Sequence, residues 1–119
     1  MPAEFVIPPY HRITYAHVDV RSALLSAGFA PAELTTMLAI AGAESSWSNA
    51  IQVGQPYQTT GWGCWQITPG NSVPTVGIDQ ALLDLHCNAR AAWVKYAKQG
   101  FHAWSTFNSG VYERYIHLI

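Results

Sequence analysis

The clearest hydrophobic period in the chain falls at Leu34, Met37, Leu38 and Ala41, spaced i, i+3, i+4 and i+7. That spacing predicts a helix over about 31–45 with one buried apolar face. Pro31 stands where a first helical residue belongs, and Glu33 lies in the first turn, where a carboxylate suits the positive helix end. A second stripe, Leu85, Ala89, Ala92, Trp93 and Tyr96, predicts a helix that Asp84 can cap and Gly100 ends, with Arg90, Lys95 and Lys98 off the apolar face. Ahead of both, Asp19 suits an N-cap for VRSALLSA, and Gly28 stops that short helix.

Elsewhere the pattern breaks. Residues 1–18 carry three Pro and no period, which reads as an irregular lead-in wrapped on the domain. Residues 48–60 are polar and aperiodic, a loop of roughly a dozen residues and long enough to suspect a role. GWGCWQI at 61–67 reads as a tight turn with a short extended piece, and a further loop runs from Pro69 to Gly77. Residues 78–83 suggest a helical turn or two, AWSTFNSG at 103–110 a short helix broken by Gly110, and 111–119 a terminal helix. The fold class is mainly α with a small extended or β-like segment, in one domain spanning 1–119.

Composition narrows the function. Half of the 119 residues are hydrophobic and only 11% are charged, so a disordered chain is excluded. The formal net charge is −1 and the six basic residues are scattered, which argues against nucleic-acid binding. The N-terminus has neither a basic n-region nor an apolar stretch of signal-peptide length, and no run could span a bilayer. The reading is a protein made in the cytoplasm without a signal peptide and with no membrane partner. Cys64 and Cys87 allow one disulfide, worth about 3 kcal/mol on a chain-entropy basis. A cytoplasmic origin favours two free thiols instead. No ligand spacing indicates a metal site, and no cofactor is implied.

Of the seven acidic side chains, Glu44 stands apart. It ends an apolar helix, and Ser45-Ser46-Trp47 follow it. The negative helix end disfavours a carboxylate, and so does partial burial beside Trp47. Both raise the pKa toward what a general acid requires. No Arg or Lys occurs between Arg21 and Arg90, so no cationic partner is expected. Taken alone, this pattern weighs evenly against a strained terminal Glu that reaches into water. Trp93 and Tyr96 read as core. Tyr57, Trp62 and Trp65 sit off regular stripes, and for them sugar contact and core packing both stay open.

AIAGAESSW, GWGCWQI, LLDLHCNARAAWVKY and AWSTFNSGVY occur in that order. Together they resemble the lysozyme-like superfamily of soluble lytic transglycosylases and goose-type lysozymes, in particular its compact actinobacterial and actinophage versions. The resemblance covers about residues 31–112. It implies a lysozyme-like helical domain with the small extended segment near a cleft. Glu44 would be the catalytic acid that protonates the glycosidic oxygen between N-acetylmuramic acid and N-acetylglucosamine. Ser45 would complete the Glu-Ser pair, and Trp65 and Gln66 would come from the cleft-lining glycine-rich segment, with Cys64 turned to the core. Residues 88–92 would be chiefly structural. Phe107 and Asn108 would match a Tyr-Asn segment whose hydroxyl lies near the acid, which Phe107 lacks. The expected substrate-binding set is Ser45, Tyr57, Trp62, Trp65, Gln66, Phe107 and Asn108.

No second carboxylate stands out, although Asp79 or Asp84 could reach the cleft. A one-acid site fits attack by the substrate's own N-acetyl oxygen, with either a reducing sugar or a 1,6-anhydromuramic product. The resemblance implies a monomer that acts on peptidoglycan glycan strands, after release or within a virion or larger lysin. The alternative is an inactive lysozyme-like module that binds wall glycan or serves a phage tail.

Overall fold

A computed structural model describes residues 10–68 and 80–119. The predicted mainly α fold is present, with helices α1 (His17–Ala27), α2 (Leu34–Ser45), α3 (Leu85–Gln99), α4 (Ser105–Asn108) and α5 (Glu113–Ile116). Strands β1 (Ile51–Gln52) and β2 (Gly61–Trp62) form one antiparallel pair, in register Ile51 to Trp62 and Gln52 to Gly61. Single 3-10 turns at Pro31–Glu33, Tyr57–Thr59, Gln80–Leu83 and Gly100–Ala103 join these pieces. No helix among the described residues is long and apolar enough to cross a membrane.

The centre of the domain is α2. The sequence predicts one apolar face, but Met37, Leu38, Ala39, Ile40 and Ala41 are all fully buried, so the helix is enclosed on every side in its middle turns. It packs against α1 and α5 and touches α4, while α1 and α3 pack on each other. A helix surrounded in this way has no solvated face to keep polar, which is why its apolar residues run consecutively. Trp47, just beyond it, donates its indole N–H to the Leu38 carbonyl at 2.9 Å and packs against His17 and Tyr115.

Helix ends follow the expected chemistry with one exception. Gly28 closes α1 by donating its amide to the Leu24 and Leu25 carbonyls. Asp84 caps α3, its Oδ2 accepting from the Cys87 amide at 2.9 Å. Asp19 is not the cap of α1. The helix begins at His17 after Ala16, leaving Asp19 in the first turn, where it favours the helix through the dipole. Glu33 works harder than its first-turn place suggests. Its Oε1 accepts from the Ala30 amide at 2.8 Å, and its Oε2 accepts from the Tyr96 hydroxyl at 2.7 Å, tying the start of α2 to α3. Trp93 and Tyr96 are half-buried, and they close that seam around Phe29.

The described part of the lead-in, residues 10–16, lies along the segment that leaves α2. Tyr15 donates its amide to the Trp47 carbonyl at 2.8 Å, and Asn49 bonds the backbone of His11 and Ile13. Cys64 and Cys87 are free thiols, Cys64 buried with its pKa pushed up to about 12 by that burial.

Candidate active site

The site is built where α2 stops. Ser46 and Trp47 both take left-handed backbone conformations, φ 55° and 59°, so the chain reverses immediately after Glu44-Ser45. Neither is glycine, and each such residue costs about 1–3 kcal/mol. Bonds around the turn hold it there. Ser46 donates its amide to the Gly42 carbonyl at 2.8 Å, and the Ser48 hydroxyl donates to the Ser45 carbonyl at 2.6 Å. The Ser45 hydroxyl lies 2.8 Å from the Cys64 carbonyl and 3.1 Å from that of Ala41, and it accepts from the Ser48 amide at 3.1 Å. Buried and engaged on all sides, Ser45 fastens the end of α2 to the 61–67 segment and holds its neighbour in place.

That segment is a closed loop. Trp62 and Ile67 exchange both backbone bonds at 2.9 Å, and the Gly63 amide donates to the Ala50 carbonyl at 2.8 Å. Two glycines are required for it. A Cβ on Gly61 would run into the Gln66 amide oxygen. Gly63 has φ 78°, and a Cβ there would meet Asn88 Nδ2 and the Leu82 carbonyl. Asn88, fully buried, uses its whole amide on this loop. Its Oδ1 accepts from the Trp65 amide at 2.9 Å, and its Nδ2 donates to the carbonyls of Trp62 and Leu82 at 2.9 and 2.8 Å.

Glu44 opens into a cavity of about 350 Å³, within the usual range for small-ligand sites. Gln52 and Gln66 face it from the strand side, and Lys95 and Trp104 from the helical side. Burial raises the Glu44 carboxyl above its ordinary range. The Thr106 hydroxyl, donating to Oε2 at 2.7 Å, and the positive charge of Lys95 pull it down without cancelling the rise. The helix-end carbonyls receive donors of their own: Gln52 Nε2 on the Glu44 carbonyl at 3.1 Å, and Arg12 on that of Ser45 at 3.5 Å. The held, half-buried acid is thus a group that keeps its proton to higher pH than an ordinary glutamate, which is the requirement for donating it to a leaving oxygen.

The expected binding set separates. Gln66 lines the cavity with Glu44, its Nε2 donating to the Ala50 and Gly63 carbonyls at 2.9 Å each. Trp62 and Trp65 do not line it. They are 1% and 0% exposed, and the Trp65 indole donates to the Met37 carbonyl at 3.0 Å. The 61–67 loop folds inward between α2 and α3, so its rings belong to the core. Phe107 and Asn108 are also away from the cavity lining. Phe107 packs against Phe101, His102 and Tyr112, and Asn108 bonds His102. The hydroxyl at the acid comes from Thr106, one residue earlier. Tyr57 falls in a 3-10 turn and its side chain lies outside the described structure, as does Asp79.

Sequence reasoning missed Lys95, Trp104 and Thr106. The apolar stripe puts Lys95 off the buried face of α3, yet it is only 8% exposed and its Nζ lies 5.6 Å from the centroid of the Trp104 ring. The available signal was its position three residues after Ala92 and seven after Asn88, both fully buried. Trp104 donates its indole N–H to the Trp65 carbonyl at 2.9 Å, which binds the cavity wall to the 61–67 loop. Among the described residues no group of three His, Cys, Asp or Glu side chains is arranged to hold a metal.

The family profile described as "Lysozyme like domain" matches residues 21–106. The chain belongs to the lysozyme-like domain family. The matched span contains Glu44, the 61–67 loop, Asn88 and Lys95, and it ends on Thr106, the residue that hydrogen-bonds the acid. No curated protein matches the chain.

Proposed function

We propose that this lysozyme-like domain, acting as a monomer over the whole chain, cleaves the β-1,4 bond between N-acetylmuramic acid and N-acetylglucosamine in bacterial peptidoglycan. It would do so as a muramidase or lytic transglycosylase, with Glu44 as the acid. The observation that carries the reading is the state of Glu44: a carboxyl on a cavity wall, biased by burial toward its neutral form and oriented by Thr106. In the reaction, Glu44 transfers its proton to the glycosidic oxygen as the bond to the anomeric carbon breaks. The electron-poor carbon is met by the substrate's own N-acetyl oxygen, since Glu44 is the only carboxylate among the described residues lining the cavity. Water or the C6 hydroxyl then bonds to the anomeric carbon, displacing the N-acetyl oxygen and giving its proton to the now ionised Glu44; water yields a reducing end and the C6 hydroxyl the 1,6-anhydro product. The setting we infer is the cell wall, reached after release or as part of a phage particle or larger lysin.

The test is digestion of labelled peptidoglycan by the purified protein, with mass spectrometry of the released muropeptides. Glu44→Gln keeps the shape and removes the proton, so release should fall by at least about 10²-fold with the circular dichroism unchanged. Near-parental activity in this variant rules Glu44 out. Wild-type protein that binds the glycan and releases nothing is an inactive wall-binding module.

A further inference from the structure

Lys95 is a cation in a place that ordinarily excludes one. Among the described residues its ammonium makes no hydrogen bond or ion pair; it has only the Trp104 ring beneath it and the field of Glu44. Its stem is buried while its three N–H donors, matched by no described protein group, open on the cavity. Of the eleven described residues lining the cavity, Glu44 and Lys95 alone are ionisable. When Glu44 holds the proton it needs for catalysis, Lys95 is left as the one charge among the described lining residues, with no protein group opposite it. Such a group is best satisfied by an anion arriving with the ligand, and Trp104 offers an adjoining apolar ring for a sugar face.

We propose that Lys95 is a specificity-determining residue that pairs with a carboxylate carried by the muramoyl unit of the substrate, so that the cleft selects acidic wall glycan over neutral N-acetylglucosamine polymers. This rests on the proposed function, which supplies the muramoyl unit. That unit offers two carboxylate sources: the lactyl group where no peptide is attached, and the stem peptide where the lactyl carboxyl is tied up as an amide.

The experiment measures binding by calorimetry in the Glu44→Gln background, so that no probe is cleaved. The probes are a peptide-free muramoyl tetrasaccharide, the same sugar with its lactyl carboxyls reduced to alcohols, a peptide-bearing tetrasaccharide, and N-acetylchitotetraose. A hydrogen-bonded charge pair implies a preference of roughly tenfold for the carboxylate-bearing probe. That preference should shrink with added salt and vanish in Lys95→Met, which keeps an unbranched apolar stem beside Trp104 and removes the ammonium. Tight binding of the peptide-free acid identifies the lactyl carboxylate; tight binding of the peptide-bearing probe alone identifies the stem. Equal affinity for acidic and neutral probes overturns the inference, as does a Lys95→Met variant that keeps the preference or weakens all probes alike. If Lys95→Met does not fold, the acidic-to-neutral ratio and its salt dependence with Lys95 in place decide the matter. Failure to bind or cleave any glycan removes the proposed function itself, a result distinct from equal binding.

Discussion

Thr106→Val isolates the bond that orients the acid. The variant is nearly isosteric and deletes only the hydroxyl that donates to Glu44 Oε2 at 2.7 Å. A hydrogen bond to an ionised carboxylate is worth about 1.5–3 kcal/mol and one to a neutral group about 0.5–1.5 kcal/mol. The hydroxyl therefore favours the ionised form by about 1 kcal/mol. One pH unit corresponds to about 1.36 kcal/mol, so its loss should raise the Glu44 pKa by somewhat under one unit. Under the proposed function the active form is the protonated one, so activity should fall as pH rises through that pKa. The alkaline limb of the rate profile should accordingly move to higher pH in Thr106→Val and stay in place in Thr106→Ser, which keeps the donor. The assay is initial muropeptide release across acidic to mildly alkaline pH. A limb that stays still or moves to lower pH in Thr106→Val refutes the assignment of Thr106 as the donor. Phe107→Tyr is the natural contrast, because the family resemblance puts the hydroxyl there. With Phe107 packed on Phe101 and Tyr112, its limb should not move.

Glu44→Gln should also stabilise the protein at neutral pH. The folded-state pKa is raised, so the folded form binds the proton more tightly than the unfolded chain and loses stability as pH climbs above the unfolded value of about 4.3. Thermal melts should show Gln above Glu at neutral pH and the gap closing in acid; a less stable Gln variant at neutral pH would contradict burial as the dominant influence. Asn88→Ala strands the Trp65 amide and two buried carbonyls, which should cost roughly 3 kcal/mol and lower the melting temperature by roughly 10 °C, with activity lost at lower temperature than in the parent.

The helices and the position of Glu44 at the cavity were legible because each rested on a local signal. Periodicity marked α2 and α3, and Asp84 and Gly100 bounded α3 where they should. Glu44 was legible from its place at the end of an apolar helix inside a recognisable run of motifs. Several side-chain placements decided by long-range packing were not legible. Trp62 and Trp65 sit in an aperiodic, glycine-containing stretch, as exposed loop rings do, and only the bonds from Asn88, Ala50 and Ile67 show that the loop is drawn inward. Lys95 looked solvated because lysine usually is, although its spacing from Asn88 and Ala92 put it on the buried side. Thr106 could not be told from Phe107 as the residue facing the acid, since a four-residue helix has too little period to fix which side turns inward.

The two ionisable residues among the described cavity lining also constrain each other. The charge on Lys95 lowers the Glu44 pKa, and Glu44 raises that of Lys95. Before substrate arrives, this coupling works against the protonated acid. A substrate carboxylate seated on Lys95 would neutralise that charge, remove its pull on Glu44, and raise the already elevated Glu44 pKa further when the cleft is filled. A neutral glycan leaves the ammonium exposed to Glu44 and gains no such release. If the proposed function holds, discrimination between wall glycan and neutral polymer would then act on the proton of Glu44 as well as on binding.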